Sequence, residues 1–187
     1  MSKAQKNYLS KDQWLAKALT QLTTKGSLGL SIEEMSKAVG VTKGSFYWHF
    51  KNRDGFVREL FNYWADLSTT KVIEYVDQFE GSPSERLLAL SKFLIQENIC
   101  QYELAIRGWV QIHPVLIPFL ESIDLNRYEY VAGLFEEIGF SGDELEMRVR
   151  TFLVFYALET SLYPNQNLEN RLNSLILRHQ CLTGLNA

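Results

Sequence analysis

An all-α fold is predicted for this 187-residue chain by three observations. Apolar residues recur at helical spacing in almost every segment, strand-like alternation is missing, and Gly/Pro punctuation falls at helix-length intervals. Together these divide the chain into about nine helices, with no internal repeat and no low-complexity tract.

The first helix opens at Ser10, where Gln13 three residues on completes a capping box. Trp14, Leu15, Ala18, Leu19 and Leu22 form its apolar stripe, and Gly26 ends it. A second start follows at Ser31, with Glu34 as its capping partner and Ile32, Met35 and Val39 as its buried face. Gly40 stops this helix after two turns, and Thr42 caps a third short helix running to about His49. A longer helix is expected from Asn52 to roughly Glu80, ended by Gly81-Ser82-Pro83-Ser84. Further helices are expected at about 84–100, 103–112, 115–138, 143–163 and 168–182, with breaks at Pro114, Gly139–Gly142 and Pro164–Asn167.

Composition narrows the function classes. Hydrophobic residues make up 46% and charged residues 22%, a globular balance. No apolar run of membrane-spanning length and no signal-peptide core is present, and Cys100 and Cys181 lie far apart without metal or disulfide spacing. A cytoplasmic protein is the expectation. The net charge of −3 is unevenly spread. Residues 1–60 carry ten Lys/Arg against five acids, a net of +5, while the remainder carries nine against seventeen, a net of −8. A basic segment on an acidic body points to a polyanion partner at one end. No nucleophile elbow, phosphate loop or zinc-protease motif occurs, and His49, His113 and His179 are scattered, so neither an enzyme nor a cofactor or metal site is expected.

The stretch from Ser31 to Phe56, SIEEMSKAVGVTKGSFYWHFKNRDGF, carries the strongest signal. It reads as two helices of two turns joined by a tight turn, for which Gly40 supplies the left-handed backbone. Met35, Ala38, Val41, Phe46 and Phe50 are expected to close a small core against Leu15, Leu19 and Leu22. The opposite face of the second helix is then free for a major groove, where the first residues of such a helix reach base edges. These are Thr42, Lys43, Gly44 and Ser45; Lys43 suits guanine, and Gly44 lets backbone approach DNA. Tyr47, Trp48, His49, Lys51 and Arg53 extend the surface toward phosphates, although Trp48 also suits a packing role.

This segment resembles the DNA-binding head of the TetR (tetracycline-repressor-like) family of regulators. The resemblance is carried by Tyr47-Trp48-His49-Phe50-Lys51-Asn52-Arg53 and by Gly40-Val41 followed by Ser45-Phe46-Tyr47, with the first helix at the expected distance. It covers roughly residues 10–60; beyond them it rests on length, helix order and a weak likeness around Ala105–Pro114. It implies a three-helix head over residues 1–55 and a larger helical sensing and dimerisation body over 56–187. It also implies that Thr42, Lys43, Gly44, Ser45 and Tyr47 line the groove, with His49, Lys51 and Arg53 at the DNA backbone and Ser31 and Glu33 at the motif entry. Glu33 departs from a base or polar residue and suits either a cytosine amine or, the favoured reading, the helix dipole.

In the body, Val149–Leu158 is apolar on every side and needs cover from both its own domain and a second subunit. Leu168, Leu172, Leu175, Ile176 and Leu182 of the last helix are expected to join it in a four-helix dimer interface. Trp64, Phe93, Arg107, Trp109, His113, Tyr128 and Tyr156 are the candidate lining of a ligand cavity, with Arg107 and His113 suited either to an acidic ligand or to pairing with Glu103 or Glu121. The expected function is a homodimeric bacterial regulator, associated with the nucleoid and released as a repressor from a palindromic operator by a small-molecule effector. A thiol-responsive or activating regulator of the same fold is the alternative.

Overall fold

The structure, a computed structural model, describes residues 9–26, 30–162 and 165–184. Those residues form helices and connecting turns with no strand among them. They divide into two compact units, Met1–Ala65 and Asp66–Ala187.

The first unit contains α1 (Lys11–Lys25), α2 (Ile32–Val39), α3 (Lys43–Phe50) and α4 (Arg53–Ala65). The Ser10–Gln13 capping box forms in both directions, and α1 buries all five residues of its stripe. At α2 half of the expected box forms. The Ser31 hydroxyl accepts from the Glu34 amide, while the Glu34 carboxylate turns to Lys25 at 3.0 Å and Lys37 at 3.4 Å. Gly40 takes the left-handed conformation, φ 70°, at the tight turn. The buried face of α2 carries Met35 and Ser36, and Ala38 is exposed. On a 3.6-residue helix Ala38 points away from the direction shared by Ile32, Met35 and Val39, so it cannot join the core expected for it. Trp14, Phe46, Phe50 and Phe56 close that core instead, with ring centroids 5.0–6.3 Å apart.

The second unit starts with a π-helical turn, Asp66–Thr70, and continues as α5 (Lys71–Asp77), α6 (Pro83–Gln96), α7 (Glu103–Gln111), α8 (Ile117–Ile138), α9 (Gly142–Leu162), α10 (Leu168–Asn173) and α11 (Leu175–Thr183). Two of the nine expected helices are each split. The π turn interrupts the one after the head, and the last changes course at Ser174. The expected break at Pro164 lies outside the described residues. The core of this unit gathers Val76, Leu87, Ile95, Phe135, Val149 and Phe152, from α5, α6, α8 and α9. On α9, Val149, Phe152, Tyr156 and Glu159 are buried, whereas Met147, Val154 and Leu162 are exposed. Leu175 and Leu182 of α11 enter the unit's own core, and Leu168 and Ile176 face outward.

Candidate nucleic-acid interface

The outward surface of the first unit is built on α3, whose Phe46 and Phe50 are sunk into the aromatic core. Burying one stripe of an eight-residue helix forces the other outward. Thr42, Lys43 and Gly44 are exposed and Ser45 is half-buried, while Tyr47 and Trp48 are 52% and 80% exposed. Thr42 occupies the N-cap position with extended backbone but makes no side-chain cap bond. A Cβ added at Gly44 would meet nothing nearer than the Thr42 hydroxyl at 3.6 Å. The fold itself therefore has room for a larger residue there.

Electrostatics on this face are local and weakly held. Glu33 lies 3.7 Å from Lys37 and 3.7 Å from Lys43, with all three side chains at least 60% exposed. Such pairs contribute little in water and separate readily for a stronger anion. Ser31 is spent on capping α2. His49 stacks edge-on to Trp48 at 4.5 Å, and its Nε2 lies 2.8 Å from the Leu9 carbonyl, so it tethers the approach to α1 as well as facing the surface.

Lys51 and Arg53 stand exposed at the passage from α3 into α4. Lys51 has φ 57° and ψ −52°, and the Asn52 amide donates across it to the Phe50 carbonyl. This is a γ-turn of the strained sign, in a region that a residue with a Cβ enters at a cost of about 1–2 kcal/mol. The Asn52 side chain then accepts from the Gly55 amide at 2.7 Å and caps α4. A Cβ at Gly55 would lie 2.7 Å from the Phe50 carbonyl oxygen, so glycine is required for the close crossing of the two helices. The sequence places the start of this helix at Asn52, as found, whereas the Asn52–Gly55 contact itself carries no expectation. The spacing of a capping residue three before a glycine amide is the signal that could have found it.

Of the seven residues expected around a ligand, Trp64 lies in the first unit and the other six are dispersed in the second. Trp64 is fully buried beside Phe61, Phe93 stacks on Tyr75 at 4.1 Å, and Tyr128 packs against the core of the second unit. Trp109 is buried with His113 edge-on, the His113 Nδ1 lying 3.0 Å from the Trp109 carbonyl. Tyr156 is buried, which pushes its hydroxyl up to about 12. Arg107 alone of the seven is among the eight residues lining a groove of about 330 Å³ between α7, α8 and α9. It pairs with Glu103 and Asp124, not with Glu121. Neither cysteine is in a disulfide. Burial pushes the Cys100 thiol up to about 12, with the nearby Glu103 carboxylate adding to the rise. Among the described residues, no cluster of His, Cys, Asp and Glu could hold a metal, and no helix is long and apolar enough to cross a membrane.

Comparison with known proteins places a sequence-profile match within the first unit. The sequence profile described as "Bacterial regulatory proteins, tetR family" matches residues 15–60. The HTH-type transcriptional regulator AcrR of Shigella flexneri is 28% identical over 88 residues, covering 45% of this chain and 39% of AcrR. The biofilm operon icaADBC HTH-type negative transcriptional regulator IcaR of Staphylococcus epidermidis is 33% identical over 61 residues, covering 30% of this chain and 33% of IcaR. The matches thus span well under half the length of these curated relatives. Among solved structures, a transcriptional regulator from Rhodococcus sp. Rha1 superposes with a TM-score of 0.69 at 19% identity, covering 94% of this chain and 97% of that one. A TetR-like transcriptional regulator from the same source gives 0.68 at 14% identity, covering 92% and 94%.

Proposed function

We propose, for a chain that belongs to the TetR family of bacterial regulatory proteins, that it is a dimeric repressor, released from a palindromic operator by a small molecule. The observation that carries this reading is the outward face of α3. An exposed Lys43, a Gly44 that the fold does not require and two exposed aromatics share one short helix whose other stripe is locked in the core. A lysine can read guanine O6/N7, the missing side chain lets backbone come close, and Lys51 and Arg53 meet phosphates beside the α4 N-terminus. This is recognition chemistry rather than catalysis, and it acts in the cytoplasm, at the nucleoid.

Dimerisation is supported by the outward apolar face of α9. Met147 and Leu162 are 51% and 65% exposed on the same helix that buries Val149, Phe152 and Tyr156 in its own unit. Two-fold pairing presents two α3 helices to major grooves about one turn, ~34 Å, apart. Release needs a ligand that binds the off-DNA state better, and a coupling of about 1–3 kcal/mol changes occupancy several-fold or more. Repression is favoured over activation by the likeness to IcaR, a negative transcriptional regulator. The thiol-responsive alternative draws no support from Cys100, whose elevated pKa suppresses the reactive thiolate.

Selection of bound sequences from a random duplex library, followed by titration at two salt concentrations, tests the reading. A palindrome with half-sites one turn apart, bound by a dimer with a steep salt dependence, is the expected result. Failure to enrich any sequence refutes it.

A further inference from the structure

The groove between α7, α8 and α9 has two unlike halves. Leu153, Val154, Ala157 and Leu158 of α9 and Leu104 of α7 make an apolar wall, and Arg107, Asp124 and Arg127 close one end. Its volume of about 330 Å³ falls in the range of small-molecule sites. Glu103, 1% exposed, sits beneath the charged end and receives Arg107 Nε at 2.8 Å and Arg127 Nη1 at 3.0 Å. Above it, the Arg107 fork grips Asp124 through both carboxylate oxygens, at 2.6 and 2.9 Å.

Exposure decides which member of this cluster can leave. Glu103 is 1%, Arg127 16%, Arg107 34% and Asp124 40% exposed, so Asp124 is the group most cheaply returned to water. Its departure leaves two cations over one buried carboxylate, a net positive end on an apolar trough. An entering cation would have to compete with the tethered Arg107 for Asp124 and leave that guanidinium short of a partner. An entering carboxylate fits the fork that Asp124 already shows to be the right size.

We propose that this groove binds a small amphipathic carboxylic acid, whose carboxylate takes the place of Asp124 on Arg107 and whose apolar tail lies along α9. The proposal rests on the ligand-released regulator reading and names the ligand class. It also supplies a path for the signal. Arg127 donates from Nη1 to Glu103, from Nε to the Thr69 hydroxyl at 2.8 Å and from Nη2 to the Ser68 hydroxyl at 2.8 Å. Ser68 and Thr69 belong to the π turn that opens the second unit, immediately after α4 in the chain. Interruptions of this kind are frequent at functional sites. A change of partner at Asp124 therefore alters the charge around the side chain that holds this turn.

Calorimetric titration of the full-length dimer with butanoate, hexanoate, octanoate and octylammonium tests the assignment. Octanoate should bind saturably and octylammonium should not, with affinity rising roughly fourfold per added methylene as the tail covers the α9 wall. Asp124→Asn, which removes the competing carboxylate and leaves the Glu103 pairs in place, should bind octanoate roughly tenfold more tightly. Amide exchange across residues 66–72 should change on octanoate addition. Binding of octylammonium in preference to octanoate, weaker octanoate binding by Asp124→Asn, or no saturable binding because a second copy fills the groove would each overturn it. None of these readouts involves DNA, so a failed titration beside a successful operator selection removes the ligand class and leaves the regulator reading intact.

Discussion

The first unit fills its interior with rings, whereas the second threads charges through its own. Trp14, Phe46, Phe50 and Phe56 meet at edge-to-face or tilted angles around the base of α3. In the second unit Glu103 and Glu159 are almost fully buried, each answered by arginine: Glu103 by Arg107 and Arg127, Glu159 by both ends of the Arg171 fork at 2.8 and 2.9 Å. The difference is one of tolerance. Apolar burial is non-directional, so an aromatic core holds α3 firmly while leaving its outer face free to vary. A buried ion pair stands only while both members remain and is sensitive to anything that exchanges a partner. The first arrangement suits a fixed reading surface, and the second suits a part that answers a ligand.

Substitutions can break this contrast in order of size. Phe46→Ala should cost the first unit about 3–5 kcal/mol, read as lost hydrogen-exchange protection in α1–α3 with α6 and α8 unaffected. Equal loss of protection in α6 and α8 would show that the two cores are not separate. Glu159→Ala strands Arg171 and should destabilise the second unit by roughly 3 kcal/mol in urea, while Glu159→Leu combined with Arg171→Met should recover most of it. A double variant as unstable as the single one would mean that the pair is more than a replaceable strut. Lys51→Gly relieves the γ-turn and should stabilise the first unit by about 1 kcal/mol, while lowering the salt dependence of DNA binding by about one unit per protomer of the dimer.

The smallest effect concerns pH. His179 lies 2.9 Å from the Ser84 hydroxyl, and burial lowers its pKa below the ordinary 6.5. The unfolded chain takes up this proton first as pH falls, so the contribution of the neutral ring is complete above pH 6.5 and is lost as pH drops through the lowered folded value. Melting temperature should therefore fall less steeply between pH 7 and 5.5 in His179→Gln than in the parent. Parallel slopes would assign the acid sensitivity to other groups.

The same contrast explains how much of the molecule was legible in its sequence. The Ser10 capping box, the Gly40 turn and the stripe of α1 are local patterns, and the structure reproduces them, whereas half of the Ser31 box forms and Thr42 makes no cap bond. Ring burial could be read because no partner had to be named. The charged interior could not: Arg127 reaches Ser68 across 59 positions and Arg171 reaches Asn98 across 73. No spacing in the chain marks such pairs, and an arginine on a helix reads as a solvated face until its partner is found. For the same reason Arg107 entered the expected ligand set while Asp124 and Arg127 did not. The split of the long helix at Asp66–Thr70 was equally hidden, since helical periodicity continues through DLSTT without a proline or glycine.

Gly44→Ala sets the stability of the first unit against the affinity for the selected operator, both measured on the same protein. Alanine has room in the fold and a better helix propensity. The account predicts a gain of about 1 kcal/mol in stability together with at least a roughly tenfold loss of operator affinity. Higher stability with undiminished affinity would contradict it, because the outer face of α3 would then not be the surface that meets DNA.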